Sequence, residues 1–151
     1  MADLPAITGF GHIDLTVTDA DQSAEWWGRV LGFKLTATTD RPDRRTRGTV
    51  HPCGLAVIFV THMDPASNRF DERAVGLDHL AWRVPDRATL EAWAQHLDDL
   101  GIEHSGIQEE IGGPLIVFRD PDNIQLELWA FDPDLVRPGV NPAVNLVPPS
   151  L

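Results

Sequence analysis

Two stretches, "GFGHIDL" at residues 9–15 and "GLDHLAW" at residues 76–82, follow one pattern: a glycine, then a histidine heading an alternating apolar run. In the first, Ile13, Leu15 and Val17 alternate with His12, Asp14, Thr16 and Thr18. That period of two predicts a strand over 10–18 with the histidine on its polar face. In the second, Leu80, Trp82 and Val84 oppose His79, Ala81 and Arg83, which predicts a strand over 77–84. The copies stay in step. Asp19 and Asp86 stand equally far behind their histidines, a helical stretch follows each, and Leu31-Gly32 and Leu100-Gly101 close it. A repeat of this length predicts a duplicated module.

Outward from the histidines, the first copy reads strand, helix, then three strands. A helix runs from about 20 to 31, with Asp19 or Asp21 as N-cap, because a carboxylate accepts the free amide hydrogens of the first turn. Ala24, Trp27 and Leu31 form one apolar stripe, and Gly32 suits a left-handed cap. Strands follow near 33–39, 46–52 and 54–62, with Pro52 and Gly54 marking the last turn. The second copy has a helix over about 87–100, capped by Asp86, with the stripe Leu90, Trp93, Ala94, Leu97 and Leu100 and then Gly101. Strands near 102–107, 114–119 and 123–131 complete it, with "RDPDN" (119–123) as a turn. Residues 63–76, polar and containing Pro65, read as a linker. The proline-rich tail 132–151 reads as an extended arm. The expectation is a single α+β domain, 1–151, of two βαβββ modules at 9–62 and 76–131.

The bulk composition bounds the function. Hydrophobic residues make up 42% of 151, enough for a core. The apolar runs are too short to span a bilayer, and the N-terminus lacks a basic region followed by an apolar stretch. The single cysteine, Cys53, excludes an internal disulfide framework, and the expected compartment is the cytoplasm. A net charge of −11 opposes a phosphate backbone and argues against nucleic acid as a partner. It leaves a small-molecule substrate open.

"GHIDLTVTDADQSAEWWGRVLGFKL" (11–35) resembles the opening signature of the vicinal oxygen chelate superfamily, and "FRDPDNIQLELW" (118–129) resembles its closing signature. The superfamily includes glyoxalase I, type I extradiol dioxygenases, fosfomycin-resistance proteins and bleomycin-resistance proteins. One departure is Trp26-Trp27, where an aromatic pair ending in tyrosine is common. The resemblance implies that the two modules form an open, curved mixed sheet around a cavity, and that the protein is a homodimer. It also places metal ligands at His12, His79 and Glu127. The last strand agrees, since Gln125, Glu127, Trp129 and Phe131 alternate against Ile124, Leu126, Leu128 and Ala130. Three ligands on one face suit Fe(II) or Mn(II) first, with Zn(II) or Ni(II) possible.

Glyoxalase I-like members carry a further ligand in the last strand of the first module. That position falls on Phe59, or on Val60 one residue along, and neither binds a metal. The implied chemistry therefore leans to ring-cleaving dioxygenase over a glyoxalase-like lyase or isomerase. The substrate would be small and would chelate through vicinal oxygens. The alternative is a metal-free protein of the bleomycin-resistance type that binds a drug or metabolite.

Other residues carry two readings each. A lone histidine on a strand is more often a core or surface residue than a ligand. Asp14, Phe59, Arg83 and Trp129 are candidates for the substrate pocket; Asp14 equally suits a solvated rim, and Arg83 an acidic neighbour. His51 near a turn could reach a cavity mouth. His62 becomes a ligand only if a bulge turns it round. Arg41, Arg44, Arg45 and Arg47 read as a solvated hairpin or as an anion-gripping loop. His96 and His104 have no repeat partner, and turn packing accounts for Cys53.

Overall fold

A computed structural model describes residue 6 and residues 9–64 and 69–134. The chain divides into two compact units that meet in sequence at Arg69 and Phe70. The first holds β1 (Ile13–Thr16), α1 (Ala20–Leu31), β2 (Lys34–Asp40), β3 (Arg44–Val50) and β4 (Ala56–His62). Its sheet order is β1-β4-β3-β2, with β1 parallel to β4 and the other pairs antiparallel. The second holds β5 (Leu80–Arg83), α2 (Arg87–Asp99), β6 (Gln108–Glu110), β7 (Gly113–Arg119) and β8 (Gln125–Trp129). Its order, β5-β8-β7-β6, repeats the first sheet, again with the first and last strands parallel. Ile13 and Leu80, and Ala20 and Arg87, start equivalent elements at the spacing of the two histidines. The expected α+β class and both βαβββ modules are present. The arm at 135–151 and linker residues 65–68 lie outside the described residues.

Local chemistry sets the helix ends. Asp19, not Asp21, caps α1: its side chain accepts from the amides of Asp21 and Gln22. Gly32 follows at φ 82°, where a side chain is strained. Asp86 caps α2 through Thr89, accepting from both its amide and its hydroxyl. In the first unit Trp27 is fully buried between Phe33 and Phe59, at ring distances of 5.3 and 5.2 Å. Leu15, Val57 and Thr49 complete this helix-covered face. The second core gathers Leu90 and Leu97 with Ile116, Phe118 and Leu126.

Two expectations need correcting. No strand forms over 102–107; those residues give only an isolated bridge, His104 to Phe118, and the edge strand comes later, at β6. The two-residue turn Ile111-Gly112, which pairs Glu110 with Gly113, sets that register. Gly113 (φ 123°) must be glycine because a Cβ there would collide with the carbonyl oxygen of Ala130. The arginine run is also not uniformly solvated. Arg47 is 7% exposed and forks onto Asp21 while reaching Asp40, tying α1 to β3 beneath the sheet. Among the described residues no helix is long and apolar enough to cross a membrane.

Arg119 on β7 donates to both oxygens of Glu72, at 3.0 and 2.8 Å. These bonds hold the Glu72 carboxyl at about 2, down from 4.5. A carboxylate depressed in the folded state adds stability above its ordinary pKa, and that stability is lost as pH falls through the folded value. The melting temperature should therefore fall between pH 4.5 and about 2 more steeply in the wild type than in Glu72→Gln. Circular dichroism melts across that range check this. Asp71, held down by Arg73, titrates in the same window in both proteins, so the difference isolates Glu72.

Candidate metal centre

In the second unit β5 pairs with β8 so that Ala81 lies beside Glu127 and Arg83 beside Trp129. Side chains two apart share a face, so His79, just ahead of β5, joins Glu127 on the face away from the Leu126 and Phe118 core. The His79 Nε2 lies 3.9 Å from Glu127 Oε2. Two donors can share an ion when they are closer than roughly 4.2 Å, the sum of two metal bonds of about 2.1 Å. One imidazole nitrogen and one carboxylate oxygen are also the donor types that divalent ions take, so the pair fits a metal.

Both side chains are prepared for that role. Asp78 Oδ1 lies 2.6 Å from His79 Nδ1. An ionised carboxylate only accepts, so Nδ1 donates, and the lone pair is left on Nε2, facing Glu127. Glu127 is 9% exposed, and burial pushes its carboxyl above the usual range while the nearby His79 opposes the shift. A cation would relieve that cost. Asp78 is not among the candidates the sequence offers, and only the structure shows its carboxylate on His79. Asp78→Asn should weaken divalent-ion binding by about 10- to 100-fold, the usual range for losing a ligand's supporting carboxylate. Titration of the metal-free protein with Mn(II) measures it.

Arg83 and Trp129 stand on the same face. The Arg83 guanidinium sits 5.4 Å from the Phe131 ring centre, and Trp129 lies 4.6 Å from the same ring. Trp129 Nε1 donates to the carbonyl of Gly113 at 3.2 Å, which fixes the indole. Together they make a cation–aromatic wall beside Glu127.

In the first unit His12 precedes β1 and is exposed, with Nε2 3.5 Å from Asp14 Oδ1. Asp14 pairs with Ile58, as Ala81 pairs with Glu127. Asp14 and Ala81 are equivalent in the repeat, so the counterpart of Glu127 is Ile58. The reading of Phe59 or Val60 as that position is corrected by this register. Phe59 is fully buried against Trp27 on the helix side of the sheet. His51 also faces that side, packing on Phe33 at 5.1 Å and accepting the Cys53 amide at Nδ1, so it does not reach a cavity mouth through the open face. His62 ends β4 on the face of Ile58 and Val60 and, with Asp14, Thr16, Arg41 and Arg44, borders a concave pocket of about 410 Å³. His104 is held by Asp98 at 3.2 Å, and His96 packs edge-on against Trp93. Among the described residues no three His, Cys, Asp or Glu side chains gather within either unit. The structure thus brings His79 and Glu127 together in the second unit, and His12 beside Asp14 in the first.

A family model described as Glyoxalase/Bleomycin resistance protein/Dioxygenase superfamily matches residues 9–128. The chain belongs to this superfamily. It is 28% identical over 134 residues to a catechol-2,3-dioxygenase of Bacillus subtilis (strain 168), covering 88% of this chain. The chain spans 45% of that relative's length. A solved glyoxylase/bleomycin resistance protein/dioxygenase domain from Frankia sp. EAN1pec superposes with a TM-score of 0.77 at 31% identity, covering 84% of this chain and 100% of that one. The fold is shared at 18% identity, with a TM-score of 0.65, by a single-substitution mutant of the fosfomycin resistance protein FosX of Listeria monocytogenes, solved with Mn(II) and 1S,2S-dihydroxypropylphosphonic acid. That alignment covers 84% of this chain and 95% of FosX. A protein of the same fold is thus known with a metal and a small ligand bound. The two modules that carry the family match here are the two units just described.

Proposed function

We propose that this chain is a metal-dependent enzyme of the ring-cleaving dioxygenase type, acting as a homodimer on a small molecule that presents two neighbouring oxygens. His79 and Glu127 hold a divalent ion, with Fe(II) or Mn(II) ahead of Zn(II) or Ni(II). The observation that carries this reading is the 3.9 Å approach of His79 Nε2 to Glu127 Oε2, with Asp78 fixing the imidazole from behind. A divalent ion bound there supplies Lewis-acid and dioxygen-activating chemistry. The chain's own groups do the rest. Asp78 keeps the His79 proton on Nδ1, away from the ion. The Trp129 and Phe131 rings offer an aromatic surface beside the ligands, against which a planar substrate ring can lie. Arg83 offers a positive charge to a substrate oxygen that ionises.

The dioxygenase relative supports this reaction class. So does Ile58, which puts an aliphatic group where a glyoxalase-type centre has its further ligand. The test is oxygen uptake by untagged protein loaded anaerobically with Fe(II), and separately with Mn(II), on adding catechol. The reading expects uptake together with a coloured ring-fission product. No uptake with either metal, alongside turnover of a hemithioacetal, would move the assignment to a glyoxalase-like reaction. No uptake and no turnover would leave a binding protein.

A further inference from the structure

The open face of the first sheet grades from one chemistry to another along its strands. Strand pairing sets its side chains in rows. Asp14, Ile58 and Gly48 form the first row, Thr16, Val60, Thr46 and Thr39 the second, and His62 and Arg44 the third, with Arg41 alongside. Arg41 and Arg44 exchange backbone hydrogen bonds, at 2.8 and 3.3 Å, across the two-residue turn Pro42-Asp43. That tight hairpin holds the two arginines side by side on one face. Ile58 and His62 stand four residue steps apart on extended β4, about 13 Å. Pocket chemistry therefore runs from the His12–Asp14 end, past threonine hydroxyls and two aliphatic side chains, to a cationic end.

We infer that Arg41 and Arg44, with His62 beside them, form the binding site for a compact organic anion, a carboxylate, on the substrate of this pocket. The volume of about 410 Å³ suits one small molecule. Paired guanidinium groups above hydroxyls are the donors a carboxylate recruits. Acidic residues outnumber basic ones 23 to 12 in this chain, so a two-arginine end is a local reversal of its field. The negative groups nearby are Asp43, 3.7 Å from Arg44, and Asp14 at the far end of the pocket. Arg47 and Arg45 do not belong to the site. Arg47 is turned under the sheet to Asp21, and Arg45 alternates to that same opposite face.

The ligand that follows is a small molecule carrying a carboxylate. The anion site does not rest on the dioxygenase reading, and the test separates them. Calorimetry on metal-free protein uses 3-phenylpropionate and the neutral 3-phenylpropionamide, neither of which has vicinal oxygens. The acid should bind about tenfold more tightly than the amide, and Arg44→Gln should remove about that factor. Arg45→Gln makes the same charge change on the other face and should leave affinity within about twofold. Circular dichroism confirms that each variant is folded. Equal binding of acid and amide, no binding of the acid, or an equal loss in Arg45→Gln would overturn the site. If the acid binds as stated and metal-loaded protein consumes no oxygen with any catechol, the anion site stands and the dioxygenase reading falls.

Discussion

Glu127→Gln is expected to abolish tight divalent-ion binding while leaving the metal-free fold intact or slightly more stable. The two effects have separate causes. Losing a carboxylate ligand costs at least as much affinity as losing a ligand's supporting carboxylate, so the loss should reach about 100-fold. In the metal-free protein the Glu127 charge is held in a 9% exposed position, and burial raises its carboxyl pKa. Raised above the unfolded value, this carboxyl favours the folded state at low pH and weakens it as pH rises through the folded pKa. Glutamine keeps the shape and removes the charge. Thermal melts with and without Mn(II) read both effects. Wild type should gain melting temperature on adding metal, and Glu127→Gln should gain none. A variant that loses stability without metal and still responds to Mn(II) would assign Glu127 a structural role.

Trp27→Ala should be the most damaging core substitution in the first unit. The indole is fully buried and meets Phe33 and Phe59 edge-on, so its loss removes the centre of the contact between α1 and the sheet. Truncating a buried aromatic costs about 3–5 kcal/mol, a large share of the roughly 5–15 kcal/mol that holds a domain folded. Urea unfolding monitored by circular dichroism should show a matching drop in midpoint. Trp27→Phe, which keeps most of the aromatic volume, should lose less than half as much. Equal losses in the two variants would mean that the indole's particular shape, rather than filled volume, holds the interface.

Much of this fold is legible in the sequence because local chemistry decides it. The Asp19 cap and Gly32 stop place α1 over Ala20–Leu31 as expected, and the paired histidines announce the duplicated unit. His79 and Glu127 are legible as a pair because alternation puts each on the polar side of its strand. What escapes is whatever depends on strand partners. Residues 55–60 are apolar at every position, so alternation does not say which of Ile58, Phe59 and Val60 faces the helix. Only the pairing of Asp14 with Ile58 decides it. Arg47 is illegible for a related reason: a basic run reads as solvated, and its burial depends on Asp21, which lies on another element. Asp78 escapes because adjacency along a chain does not reveal that a carboxylate will turn back onto the next imidazole. The late edge strand follows from the Gly113 hairpin, whose geometry no hydrophobic period encodes.

The central proposal is that the His79–Glu127 pair of the second unit holds one divalent ion. Metal-to-protein stoichiometry tests it most directly, measured on untagged wild type and on His79→Ala after loading with Mn(II) and removal of free ion. The account predicts one ion per chain in the wild type and almost none in the variant. One ion per chain retained by His79→Ala, or none bound by the wild type, would contradict it.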